Sequence, residues 1–247
     1  MTVFSSWPEW TAVCLVLVAA EIIYVSFGFG AGLIAVGLSA AIHPEIKDIA
    51  VILLLINLPI EICVVCRSWF SIQWRKVLMI SLGVLLGVPL GTWILTIGNP
   101  TIVLTTLGAV LILAGLLFLS LPRHTKVRWP HWSAPPTGLA SGLLGGLFGV
   151  GGPPVIVYYQ LSGVDKAVFR GSLMAIFLLI ALVRIPSYAI GGLITVPRLW
   201  STIAVIPAVA AGAYIGSRIH IRLSEAKFRR IVSLVLILIG LILVFRF

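Results

Sequence analysis

Residues 145–154 read Gly145-Gly146-Leu147-Phe148-Gly149-Val150-Gly151-Gly152-Pro153-Pro154, in the middle of an apolar stretch running from Thr137 to Leu161. Glycine lacks the Cβ that favours the helical well, and two adjacent prolines remove two backbone donors and clash with the preceding turn. A helix entering this segment must therefore end in it. Irregular backbone within a bilayer is tolerated only where it lines a cavity or is buried in protein, so the surroundings of the break decide its meaning.

Those surroundings are apolar. Of 247 residues, 60% are hydrophobic and 10% charged, against roughly 25% charged in an ordinary soluble domain. A transmembrane helix needs about 20 apolar residues. The stretches Ile49 to Cys66, Val77 to Ile97, Ile102 to Leu121, Ser172 to Ile190, Leu199 to Ser217 and Ile231 to Phe245 are read as spans on this basis. Trp10 to Ile42 is also apolar but is interrupted by Phe27-Gly28-Phe29-Gly30-Ala31-Gly32. The runs are continuous rather than alternating, which predicts helices and not barrel strands. The fold class is an all-α polytopic membrane protein. Met1 to Glu9 carries neither a basic region nor a small-residue cleavage site, so no removable signal peptide is expected.

The two glycine clusters belong to a repeat. At an offset of 121, Phe27-Gly28-Phe29-Gly30 falls on Phe148-Gly149-Val150-Gly151; at 125, Gly87 to Ile94 falls on Gly212 to Ile219, and Leu111 to Leu116 on Leu236 to Leu241. The chain divides into a first membrane repeat, 1–120, a cytoplasmic linker, 121–133, and a second membrane repeat, 134–247. Each repeat reads as a glycine-broken helical hairpin plus three transmembrane helices.

Loop charge orients the repeats, because Lys and Arg are retained on the cytoplasmic side. With eight plain spans the cations divide evenly between the two sides. If each broken segment instead enters and leaves on one side, the inside holds Arg67, Arg75, Lys76, Arg123, Lys126, Arg128, Lys166, Arg170, Arg218, Arg222, Lys227, Arg229 and Arg230, and the outside only Lys47, Arg198 and Arg246. An odd number of crossings per repeat makes the copies inverted, with both termini outside. The net charge of +10 is then membrane topology, and no nucleic-acid partner is expected.

In an inverted-repeat transporter, paired breaks meet near the midplane, and half-helix N-termini bind anions. Gly28, Gly30 and Gly32 in the first repeat, and Gly149, Gly151, Gly152, Pro153 and Pro154 in the second, are the expected substrate-binding backbone. Gly83-x-x-x-Gly87-x-x-x-Gly91 and Gly212-x-x-x-Gly216 read as helix-packing stripes.

Ionisable groups inside spans mark function by default. Arg184 either forks onto an anionic substrate or snorkels to the interface. Glu21 and Glu61 either carry protons or pair with Arg67 or Arg184. Asn57 either donates to an anion or bridges helices. Tyr158, following the second break, either turns its hydroxyl to the cavity or anchors at the interface. Trp69, Trp74, Trp129, Trp132 and Trp200 lie near span ends, as an interfacial belt would.

Cys14, Cys63 and Cys66 lie in apolar spans, so Cys63-Val64-Val65-Cys66 reads as small apolar side chains. His43, His124, His131 and His220 are too scattered for a metal cluster. No nucleophile and base share a usable spacing, and no dinucleotide or nucleotide motif is present. Neither enzyme nor cofactor is expected.

The paired glycine motifs, Gly151-Gly152-Pro153-Pro154 and the basic Phe169-Arg170-Gly171-Ser172 together resemble the TauE/SafE sulfite-exporter family of anion permeases, over nearly the whole chain. The first motif departs from the family pattern, with Ala31 where glycine is common and no proline soon after. The resemblance implies transport of sulfite, sulfonates such as sulfoacetate, or other small anions. The expected protein is a multi-pass secondary transporter of the inner (plasma) membrane, proton-coupled and alternating in access, with a small anion, protons and membrane lipids as partners. A passive anion channel is the alternative reading.

Overall fold

The computed structural model describes residues 2–27, 31–120, 129–218 and 225–246. These form ten helices: α1 (Trp7–Phe27), α2 (Ala31–Ile42), α3 (Ile46–Ser68), α4 (Trp74–Ile97), α5 (Pro100–Ser120), α6 (Ala134–Phe148), α7 (Gly152–Leu161), α8 (Lys166–Ile190), α9 (Val196–Arg218) and α10 (Glu225–Arg246), with short 3-10 turns at Trp69–Ser71 and His131–Ser133. No strand occurs among the described residues. Gly28 and Gly30, and the linker cations Arg123, Lys126 and Arg128, lie outside them.

Local chemistry sets the boundaries. α1 opens on Ser6 and Glu9: the Ser6 hydroxyl accepts the Glu9 N–H at 3.4 Å, and Glu9 Oε2 accepts the Ser5 N–H at 2.8 Å, a variant of the reciprocal capping box. α6 begins with Pro135 and Pro136, placed where their missing donors cost nothing. It ends on Gly149, whose φ of 80° is left-handed and whose N–H returns to the Gly145 carbonyl at 2.9 Å.

Among the described residues six helices are long and apolar enough to cross a membrane: Trp7–Tyr24, Ile46–Ser71, Trp74–Ile97, Pro100–Ser120, Lys166–Ile190 and Val196–Arg218. α10 carries its apolar stretch from Ile231 onward, behind charged first turns. α6 and α7, of 15 and 10 residues, rise only about 22 and 15 Å at 1.5 Å per residue, short of the roughly 30 Å hydrocarbon core. They are the two arms of a broken segment, as expected. α1, in contrast, is long enough to cross unaided.

The helices gather into two compact units. The first contains α1, α2, the start of α3, α5, α9 and α10; the second contains the rest of α3, α4, α6, α7 and α8. α3 passes from one to the other between Leu53 and Leu54. The units cut across the two sequence repeats: α1 of the first repeat packs on α9 of the second within one unit, and α6 of the second packs on α4 of the first within the other.

In the second unit, α4 and α6 approach backbone to backbone. Gly83 faces Pro135 and Leu139, Gly87 faces Leu139 and Leu143, and Gly91 faces Leu143 and Leu147. Both helices therefore run in the same direction, in steps of four residues. Gly138, Gly142 and Gly146 return the fit against Ile80, Val84 and Val88. Without lipid-excluding force between helices, close contact of small residues is what binds them, and a Cβ at any of the three α4 glycines would overlap main chain. The other face of α4 presents Leu78, Leu82, Leu85, Leu86 and Trp93, all exposed, an inside-out pattern suited to lipid.

In the first unit, α9 packs on α1 in the equivalent register. A Cβ on Gly212 would lie 2.7 Å from the Val18 carbonyl, and these positions are Gly87 plus 125 and Leu139 minus 121, the repeat offsets. α5 and α10 pack antiparallel. A Cβ on Gly115 would lie 2.7 Å from the Ser233 carbonyl, and one on Gly240 would lie 2.6 Å from the Gly108 carbonyl. Exchanging the helices with the offset of 125 turns the first of these contacts into the second, so the pair obeys a local twofold perpendicular to its axes.

Candidate functional site

The break between α6 and α7 lies inside the second unit. Gly149 closes α6, Gly151 precedes α7, and Gly151, Gly152 and Pro153 are buried. The prolines offer no N–H, so the free end of α7 presents at most the amides of Gly151 and Gly152. Ser141 Oγ donates to the Gly151 carbonyl and ties the far side of the break to α6. Gly151 is sterically required, because a Cβ there would come 2.6 Å from the Ser141 carbonyl and 2.7 Å from Ile180 Cδ1. Gly152 is different: its Cβ would meet only side-chain ends, Ile156 Cδ1 at 3.3 Å and Phe177 Cζ at 3.4 Å.

Helix α8 brings a cation to this break. Arg184 is 4% exposed; its Nη1 donates to the Gly149 carbonyl at 3.4 Å and its Nη2 to the Tyr188 hydroxyl at 3.0 Å. Tyr188, wholly buried, passes its own proton to the Gly146 carbonyl at 2.9 Å, and its ring lies 4.8 Å from the guanidinium carbon. Carbonyls at the end of a broken helix need donors, and a cation there meets the negative end of the α6 dipole. Arg184 is thus buried among protein groups, between the end of α6 and Tyr188.

The second unit's part of α3 contributes a buried carboxyl group. Glu61 is 7% exposed and lies within electrostatic range of Arg184. Asn57, half-buried, is one helical turn earlier on the same face. Pro59 lies between them inside the helix and leaves the Leu55 carbonyl without its ladder donor.

Other expected site residues are placed elsewhere. Tyr158 lies at the opposite end of α7 from the break, its ring stacked on Trp129 at 5.7 Å and 18°, with Trp129 Nε1 donating to its carbonyl at 3.1 Å. Glu21 is buried in α1 of the first unit, where its Cβ lies against Gly212 of α9. Gly32 lies in the first turn of α2. Two contributors escaped the sequence reading, Tyr188 and Ser141; the spacing of Arg184 and Tyr188, four residues apart on a helix, was the available signal for the first. Among the described residues no group of histidines, cysteines and carboxylates could hold a metal ion.

Bilayer-length helices and a broken hairpin with a buried arginine at its tip define a multi-pass membrane transport protein. Residues 13–243 match the family described as "Sulfite exporter TauE/SafE", and the chain belongs to that family. One relative is the "Probable sulfite/organosulfonate exporter TauE" of Cupriavidus necator, 28% identical over 217 residues that cover 86% of this chain and 85% of that protein. No solved structure matches the chain.

Proposed function

We propose that this protein is a secondary transporter of small sulfur-containing oxyanions, sulfite or an organosulfonate, in the inner membrane, and that Arg184 at the α6–α7 break is its anion-binding cation. The observation that carries the reading is the burial of that guanidinium against the broken helix end, with Glu61 buried within its electrostatic range. The relative's printed substrates, sulfite and organosulfonates, each carry three oxygens on a pyramidal sulfur face, two of which can accept from the parallel N–H groups of a guanidinium fork.

Charge balance couples the anion to a proton. An isolated buried charge is expensive, and Arg184 with Glu61 is neutral. An anion arriving at Arg184 adds one negative charge, and protonation of Glu61 restores neutrality. Glu61 is preferred over Glu21 as the proton carrier because it shares the second unit with Arg184 and lies within its electrostatic range, whereas Glu21 belongs to the first unit. For a dianion such as sulfite or sulfoacetate, one negative charge remains after the proton is counted. An inside-negative potential then drives export by about 2.3 kcal/mol per 100 mV.

The repeats 1–120 and 134–247 are taken as inverted, and alternating access as motion of one structural half against the other. Support comes from the antiparallel, twofold pairing of the equivalent helices α5 and α10 and from the matching registers of α4 on α6 and α9 on α1. Parallel repeats would set equivalent helices in the same direction.

Proteoliposomes test the transport reading. With the membrane potential clamped to zero, an imposed pH gradient is expected to accumulate sulfoacetate, a permanently ionised sulfonate, above its external concentration. Accumulation that never exceeds equilibrium would be the behaviour of a passive channel and would defeat the proposal.

A further inference from the structure

At the end of the first unit where α1, α3 and α9 begin lies a buried polar cluster that shares no residue with the anion site. His43, in the connection between α2 and α3, is 5% exposed. Its Nδ1 meets Glu9 Oε1 of α1, and its Nε2 lies 2.9 Å from Asp48 Oδ2 at the start of α3. Asp48 Oδ1 accepts Arg198 Nε of α9 at 2.6 Å. Nearby, Arg246 of α10 donates to the Ala41 carbonyl at 2.6 Å, and the Phe4 ring meets the imidazole edge-on with centroids 5.9 Å apart. Glu45 on the same connection is exposed, and Lys47 in the first turn of α3 is half-buried.

The bonding fixes a proton count. An ionised carboxylate only accepts hydrogen bonds, and a neutral imidazole has a single N–H. With a carboxylate on each ring nitrogen, the cluster must hold one proton more than neutral histidine beside two carboxylates. The count is then balanced, two cations (His43 and Arg198) against two anions (Glu9 and Asp48). Without that proton, one His43 contact sets lone pair against lone pair and a net negative charge is left half-buried.

We propose that His43 is a proton-binding site whose occupancy pins α1 to the start of α3, beside the Asp48–Arg198 bond that ties α3 to α9, and whose emptying at alkaline pH releases that pin. The ligand is a proton, and the site is separate from the one assigned to Glu61; the proposal needs only the first unit and does not depend on which anion is carried. The joined elements include α3, the helix that continues into the second unit with Asn57 and Glu61.

The direction of the pH dependence follows from the surroundings of the ring. Burial opposes the imidazolium, but hydrogen bonds and charges from Asp48 and Glu9 outweigh it and hold the His43 pKa above the ordinary value. A raised folded-state pKa gives stability that is complete below the unfolded value of about 6.5 and is lost as pH rises through the higher folded one.

The chain has four histidines, so ring-15N-histidine labelling of the full protein in nanodiscs can follow His43, assigned through its contact with Phe4 and its absence in His43→Gln. The proposal expects a doubly protonated ring that titrates above the ordinary imidazole range, and a downward shift in that titration in Glu9→Gln. The melting temperature of the wild type should fall with pH across the same range, and His43→Gln should lose that slope. A His43 ring that deprotonates at or below the ordinary range, a titration unmoved by Glu9→Gln, or equal pH slopes in wild type and His43→Gln would each overturn it. Should His43→Gln not fold, the wild-type and Glu9→Gln titrations decide alone.

Discussion

Replacing Arg184 by Gln isolates what the buried cation contributes. In the wild type the guanidinium donates to the Gly149 carbonyl and the Tyr188 hydroxyl and lies within electrostatic range of Glu61, its proposed counter-charge. Removing one partner of a buried charge pair costs roughly 3 to 5 kcal/mol, because the other charge is left uncompensated. For a chain of this length, about 2 to 4 °C of melting temperature is lost per kcal/mol, so Arg184→Gln should melt on the order of 10 °C lower. Adding Glu61→Gln removes the stranded carboxylate. The double variant should recover part of the loss, with an interaction energy of about 1 to 3 kcal/mol. Thermal unfolding of the two single variants, the double variant and the wild type in one detergent, at one pH, gives the cycle. Losses that simply add, or a single-variant loss of only a degree or two, would show that Arg184 and Glu61 do not act on one another and would refute the charge-balance argument.

Other outcomes follow from the helix contacts. At the break, Gly152→Ala should fold and bind with little change, whereas Gly151→Ala should lower the melting temperature, since only the latter Cβ meets main chain; thermal unfolding compares them. Gly87→Leu should cost upwards of about 1 to 3 kcal/mol and reduce membrane yield, because its side chain would be driven into the Leu139–Leu143 backbone. Gly115→Val and Gly240→Val, related by the α5–α10 twofold, should destabilise by similar amounts in the same assay, and a large difference would argue against the twofold.

Much of this was legible in the sequence because bilayer physics is severe. Continuous apolar runs with few charges leave helices as the available solution, and the prolines after Gly151-Gly152 forced a break that the structure places between α6 and α7. The stripes Gly83, Gly87 and Gly91 were legible as packing surfaces, although not their partner, because α6 is brought to α4 by the chain's long-range path. Regrouping into units that mix the repeats was invisible for the same reason: α1 and α9 are separated by most of the chain. Tyr158 shows the limit of proximity in sequence, since the six helical residues 152–157 carry it from the break to Trp129. His43 was set aside as one of four scattered histidines. Its partners are 34 and 5 positions away, and Arg198 is 150 from Asp48, distances over which no local pattern operates.

The proposed transport cycle requires an anion and a proton to share the Arg184–Glu61 site. The most direct measurement follows the proton itself: purified protein in liposomes containing a trapped pH-sensitive dye, with sulfoacetate flux started by a concentration gradient and the potential clamped. Proton movement is expected in the same direction and in a fixed ratio of about one per anion, as one neutralising site requires. In Glu61→Gln, anion flux should persist without the pH change. Sulfoacetate flux with no accompanying proton in the wild type, or unaltered proton movement in Glu61→Gln, would contradict it.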